Sequence, residues 1–149
     1  MMEEINAKYI KNFNDKTNFF KEITQNKQYS TIDFSGIDKK DRKCNIELKI
    51  RTNDIFKFDE IFIEERKYNE LMKQYNESGI IPLYINFFQD DKHISIWNLL
   101  SISNPEKTQV VILDKGDNQT KLVTRLLLPT RYCSYFEFNT SQNKYIRKW

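Results

Sequence analysis

Apolar and polar side chains alternate with period two over residues 29–36 and again over residues 43–51, the pattern of strands that each bury one face. In the second stretch Ile46, Leu48 and Ile50 are expected to point one way and Glu47, Lys49 and Arg51 the other. In the first, Ile32 and Phe34 flank Asp33, which is therefore expected opposite them. The residues between, 36–42, carry Asp38, Lys39, Lys40 and Asp41 and suit a hairpin connection. Pairing the two strands brings Asp33 near Glu47, with Lys49 two positions further along the same face.

The pattern elsewhere changes period. Residues 3–13 open with acidic side chains and repeat Ile5, Tyr9 and Phe13 at four-residue steps, predicting a helix. Residues 14–18 break it, and residues 19–25 fit either a strand or more helix, the strand being preferred. Residues 55–63 read as a loop and a short strand bordering the Asp33–Glu47 region. Over residues 64–77, Tyr68, Leu71, Met72 and Tyr75 mark one face of a second helix, with Glu64 and Glu65 in its first turn and Gly79 as its stop. Residues 80–88 form an apolar run suited to a strand buried on both faces, with Pro82 tolerable near its start. After a turn at 89–92, residues 93–99 form a return strand. Residues 109–113 and 122–128 read as two strands around the turn 115–118, the second ended by Pro129, and residues 132–138 as a strand or short helix.

Composition sharpens this picture in a few places. A chain of 149 residues suits one domain (1–149), divided into a core at 1–100 and a β-rich extension at 101–149. Eleven Phe and eight Tyr allow a core of few, large side chains, and only three Gly and three Pro argue against a disordered chain. No apolar run approaches membrane-spanning length and no basic-then-apolar leader opens the chain, so a cytoplasmic protein with no membrane partner is expected. Its Asn, Lys and Ile content fits a bacterial or phage-infected cell. Cys44, Cys133 and the single His93 show no zinc spacing; Cys44 is read as a reduced buried thiol, its facing left open, and His93 as a turn-edge residue. Charge is uneven: residues 121–149 hold six Lys or Arg against one Glu. With Tyr135, Phe136, Phe138, Tyr145 and Trp149 interleaved, this section suits either a phosphate backbone with stacked bases or a solvated tail.

The candidate chemistry lies in Asp33, Glu47 and Lys49. Two carboxylates are enough to hold magnesium, a hard cation that keeps several waters. An adjacent lysine can orient water and stabilise charge at a phosphodiester, and the two carboxylates are expected to favour its charged form. The same charges also suit an ordinary solvent-facing strand.

An Asp, thirteen intervening residues and then Glu-Leu-Lys (Glu47 to Lys49) resembles the PD-(D/E)XK nuclease superfamily, which includes restriction endonucleases, Holliday-junction resolvases and phage exonucleases. Ile32 stands where the motif proline is usually written. The element order resembles the family's as far as about Leu99. The resemblance implies an α/β fold with an αβββαβ core, a mixed central sheet flanked by helices and a β-rich C-terminal elaboration. It further implies Mg2+ or Mn2+ held by Asp33 and Glu47, and Lys49 positioning the attacking water. Arg51 and Lys67 would be phosphate contacts, with Glu65 and Glu4 auxiliary. A divalent-metal-dependent endonuclease acting on DNA, branched or structured forms included, is the implied function, and a homodimer is admitted. The alternative is a catalytically inactive protein of the same fold serving as a nucleic-acid-binding or assembly module.

Overall fold

The structure, a computed structural model, describes residues 2–27, 30–51, 60–88, 92–114 and 116–148. The chain opens with helix α1 (Met2–Thr17) and strands β1 (Phe20–Gln25), β2 (Phe34–Asp38) and β3 (Lys43–Arg51). Strand β4 (Glu60–Glu64), helix α2 (Glu65–Ser78) and strands β5 (Ile81–Phe88) and β6 (His93–Asn98) follow. Strands β7 (Lys107–Asp114), β8 (Gln119–Pro129), β9 (Ser134–Asn139) and β10 (Lys144–Arg147) complete the set. A seven-stranded mixed sheet runs β1-β2-β3-β5-β6-β9-β10, with β3 and β5 parallel, and a second sheet runs β4-β8-β7. The expected αβββαβ order is present, with β4 added before α2, and the fold is α/β with a mixed central sheet. The expected loop at 52–59, Tyr29, residues 89–91 of the expected turn, Lys115 and Trp149 lie outside the described residues.

Two apolar cores lie on the two faces of the main sheet. On one face, Ile10 and Phe13 of α1 pack with Phe34, Ile46, Leu48, Ile85 and Phe136. Phe13 meets Phe87 and Phe136 edge-on at ring-centroid separations of 6.2 and 5.4 Å, a geometry aromatic quadrupoles favour. On the other face, Leu71 of α2, Ile61 and Ile63 of β4 and Leu126 and Leu128 of β8 pack against Tyr84, Trp97 and Tyr135. Strand β5 is buried along its whole length, as its apolar run implies.

Several expectations need correction. Helix α1 runs to Thr17, past the expected end at residue 13. Its stop is Asn18, in the left-handed region with φ 52°, whose amide donates to the Asn14 carbonyl at 2.7 Å. Ile5 is exposed, so the buried stripe is carried by Ile10 and Phe13 instead. Glu64 caps α2 from outside and only Glu65 enters the first turn. Tyr75 is 36% exposed and leaves the α2 core face to Leu71, with Tyr68 and Met72 beside it. Gly79 ends α2 at φ 70°, as expected.

The C-terminal section is a structural part of both sheets. Strand β8 pairs with β4 on one side and β7 on the other, while β9 and β10 extend the main sheet beyond β6. Tyr135 and Phe136 are buried and the half-buried Tyr145 packs against the first core, so the section is not a solvated tail, and Tyr135 and Phe136 have no free ring face for a base. Cys44 and Cys133 are both free and buried. Among the described residues no helix is long and apolar enough to cross a membrane.

Candidate active site

Glu47 lies mid-strand on β3, paired in register with Tyr84 of β5, and is 3% exposed. Its strand alternation is as expected: Ile46 and Leu48 enter the α1 core, and Glu47 faces the opposite layer. That layer, formed by α2 and the small sheet, buries the carboxylate. Glu47 Oε1 accepts from Lys67 Nζ of α2, whereas Oε2 is buried with no hydrogen-bond partner. Burial pushes the Glu47 pKa up to about 7, and the like charge of Asp33 adds to this against the opposing pull of Lys67 and Lys49.

Asp33 reaches the same neighbourhood by a different route from the one its flanking residues imply. The β2–β3 ladder ends at the Phe34–Ile46 pair, and residues 31–33 form a bend. Ile32 consequently enters the second core and Phe34 the first, so they do not share a side opposite Asp33. Asn26 fixes the bend, its amide nitrogens donating to the Ile32 and Asp33 carbonyls at 3.0 Å each. Asp33 Oδ2 accepts the Leu48 amide at 3.0 Å, which anchors the carboxylate beside Glu47. It opens on a small pocket of about 30 Å3 with Asn6, Asn26 and Ser30.

Glu47, Lys49, Arg51 and Lys67 line one cleft of about 220 Å3 between the main and small sheets. The carboxylates Glu47 and Glu64 favour the charged form of Lys49 as expected, but burial and neighbouring cations outweigh them. Desolvation, then the cations Arg51 and Lys67, pull its pKa below the ordinary lysine value despite Glu47 and Glu64. Arg51 is committed to the wall: Nε donates to Asn86 Oδ1 at 2.7 Å, and Nη2 to the Phe62 carbonyl and the Tyr84 hydroxyl at 2.7 and 2.8 Å. Tyr84 also donates to the Phe62 carbonyl at 3.0 Å, and its burial drives its pKa up to about 12. Glu65 pairs with Lys107 of β7 at 2.7 Å, joining α2 to the small sheet. Glu4 is exposed on α1 and lines neither the cleft nor the Asp33 pocket.

Arg125 of β8 escapes the sequence reading. It pairs in register with Glu64, its guanidinium lies 4.3 Å from the Phe62 ring centroid, and its buried Nε has no hydrogen-bond partner. The signal available in the sequence is a lone charge interrupting the apolar run from Leu122 to Leu128.

The donor set can be tested against a divalent cation. No group of three or more His, Cys, Asp or Glu side chains able to hold a metal occurs among the described residues. Two carboxylates are nevertheless sufficient for magnesium. A buried carboxylate oxygen without a partner, on a glutamate whose pKa a second carboxylate raises, is an arrangement that a cation would stabilise. The residues therefore fit such an ion.

Fold and cleft together define an α/β protein, built on a mixed sheet, with a buried glutamate among the cations Lys49, Arg51, Lys67 and Arg125. No protein-family model matches this chain, and no curated protein matches it. Among solved structures, a Holliday junction resolvase from the archaeal hyperthermophile Archaeoglobus fulgidus is similar to it. The TM-score is 0.49 at 8% sequence identity, covering 87% of this chain and 88% of that chain.

Proposed function

We propose that the cleft is a phosphodiesterase site that depends on Mg2+ or Mn2+ and acts on DNA. The observation that carries this reading is Glu47 Oε2, buried and unpartnered beside Asp33 and facing a cleft that also holds Lys49 and Arg125. Asp33 and Glu47 would hold the ion, which when bound polarises a phosphodiester oxygen and offsets charge in the transition state. Lys67 keeps Glu47 oriented and compensates its charge. Lys49, with a pKa below the ordinary lysine value, gives up a proton at Nζ more readily than a solvated lysine. Arg51, fixed by Asn86, Phe62 and Tyr84, holds the wall of the cleft, and Arg125 presents a guanidinium suited to phosphate.

One observation favours the reading without turnover: Lys67 already compensates Glu47 from within the chain. Calorimetric titration with Mg2+ and Mn2+, beside cleavage assays on linear and branched DNA, separates the two. Divalent binding that is lost in Asp33→Ala, together with cutting, supports the phosphodiesterase. DNA binding with neither cation binding nor cutting overturns it in favour of the binding module.

A further inference from the structure

The chain holds a second and larger cavity, of about 420 Å3, between α1 and the β5–β6–β9–β10 portion of the main sheet. It shares no lining residue with the Glu47 cleft. We propose that this cavity binds one nucleotide unit, an aromatic heterocycle carrying a phosphate. The proposal rests on the cavity alone and not on the phosphodiesterase reading.

The lining divides by chemistry. The floor is apolar and buried, made by Phe87 and Ile94. The half-buried rings of Tyr9, Phe138 and Tyr145 stand around it, with Phe138 and Tyr145 at a centroid separation of 5.1 Å and Tyr9 and Phe87 at 5.5 Å. Rings at such spacing offer faces and edges to a planar heterocycle, whereas an aliphatic anion would leave them unmatched. The volume falls within the range of about 300–1,000 Å3 usual for small-ligand sites and suits one nucleotide unit.

The rim supplies charge of one sign. Lys8, Asn12 and Lys16 recur at four-residue steps along α1 and so share one helix face. Among the described residues, no carboxylate lines the cavity. Lys16 Nζ lies 4.7 Å from the Phe138 ring centroid and donates to Asn143 Oδ1 at 3.0 Å, a neutral partner. Lys8 is exposed on the same face. Two lysines above an aromatic well favour a ligand whose planar part enters and whose anion stays at the rim. The lysine Cα atoms are about 12 Å apart along the helix. Their long side chains can therefore converge on one phosphate or bracket two successive ones, the first as in a free nucleotide and the second as in a strand.

The test uses the intact protein labelled with 15N, in EDTA so that cation chemistry in the cleft is silent. Amide shifts are followed while adding a deoxynucleoside 5′-monophosphate, the matching nucleoside, inorganic phosphate, or a single-stranded trinucleotide. Expected are shifts at Phe87, Ile94 and His93, with the monophosphate bound at least tenfold more tightly than nucleoside or phosphate. Lys8→Ala/Lys16→Ala should weaken monophosphate about tenfold or more and leave nucleoside unchanged, thermal melts confirming the fold. A trinucleotide preferred tenfold over the monophosphate identifies a strand as the source, and equal affinity identifies a free nucleotide. Absence of shifts at these amides with every probe, phosphate alone binding as well as the nucleotide, or indifference to the lysine double substitution overturns the proposal.

Discussion

Lys67, on the first turns of α2, closes an ion pair with Glu47, twenty residues earlier in the middle of β3. The pair joins helix to sheet at the one buried carboxylate of the candidate site, so its energetics can be read without any substrate. Breaking a fully buried pair typically costs about 3–5 kcal/mol. The Lys67 side chain is 34% exposed, and screening by water reduces the expected loss for Lys67→Met to ~1–3 kcal/mol at pH 8. The double variant Glu47→Gln/Lys67→Met should recover most of it, because the stranded charge is then gone. Urea melts of the three variants measure this, and a single Lys67→Met as stable as wild type would mean that the pair contributes nothing.

Stability should also carry the signature of Glu47 titration. The folded-state pKa of about 7 lies above the ordinary 4.5, so the folded chain holds this proton more tightly than the unfolded one. The contribution is fully present below pH 4.5 and is lost as pH rises through 7. Its size is on the order of 3 kcal/mol. Denaturation in EDTA at pH 5 and pH 8 should show wild type losing more stability than Glu47→Gln over that interval. Parallel pH dependences in the two proteins would show that Glu47 titrates as it does in the unfolded chain.

Packing distinguishes two positions of the same helical pattern. Leu71→Ala should cost about 2–5 kcal/mol, since it truncates a side chain that is 1% exposed in the second core. Tyr75→Ala should stay near ~0.5 kcal/mol, as expected for an exposed position. Melting curves of both decide it, and equal losses would place Tyr75 in the core after all.

These positions show what the sequence could reveal. Strand β5 and helix α2 were legible because each carries its own burial pattern: an uninterrupted apolar run in one, and apolar residues three and four apart in the other. The turn at Gly79 was legible for the same local reason, a residue tolerant of positive φ at the helix end. Asp33 was legible as a neighbour of Glu47 but not in its setting. The hydrogen bonds from Asn26, set seven positions before it, replace strand alternation with a bend. The C-terminal aromatics were ambiguous because their fate depends on β10 folding back onto β9 through a turn at Asn143, with φ 51°. Partners far apart in the chain, Glu47 with Lys67 and Arg125 with Phe62, leave no periodic trace at all.

Arg125 gives a prediction about nucleic acid. Its loss removes a cation–π contact with Phe62 worth about 0.5–1 kcal/mol, so Arg125→Ala should still fold. If its guanidinium meets a phosphate, DNA affinity should fall similarly for all sequences, and the slope of log affinity against log salt should flatten by about 1. Fluorescence anisotropy over a salt series measures both. An unchanged slope would remove Arg125 from the proposed contact surface.

Lys49 separates holding the cation from using it. Asp33→Ala and Glu47→Ala should each lose divalent binding and turnover together, because each removes an oxygen donor from the proposed pair. Lys49→Ala removes no oxygen donor and should keep the cation while turnover falls by ~100- to 10,000-fold, the range for a positioned proton-transfer group. Lys49→Arg then distinguishes charge from proton exchange. Arginine retains a positive charge but does not give up its proton in proteins. If the proton on Lys49 moves during turnover, arginine should fail to restore it. Metal titrations paired with single-turnover cleavage on the four variants carry the test. Turnover in Lys49→Ala within a few-fold of wild type would remove the lysine from the chemistry, and full rescue by arginine would reduce it to a fixed charge.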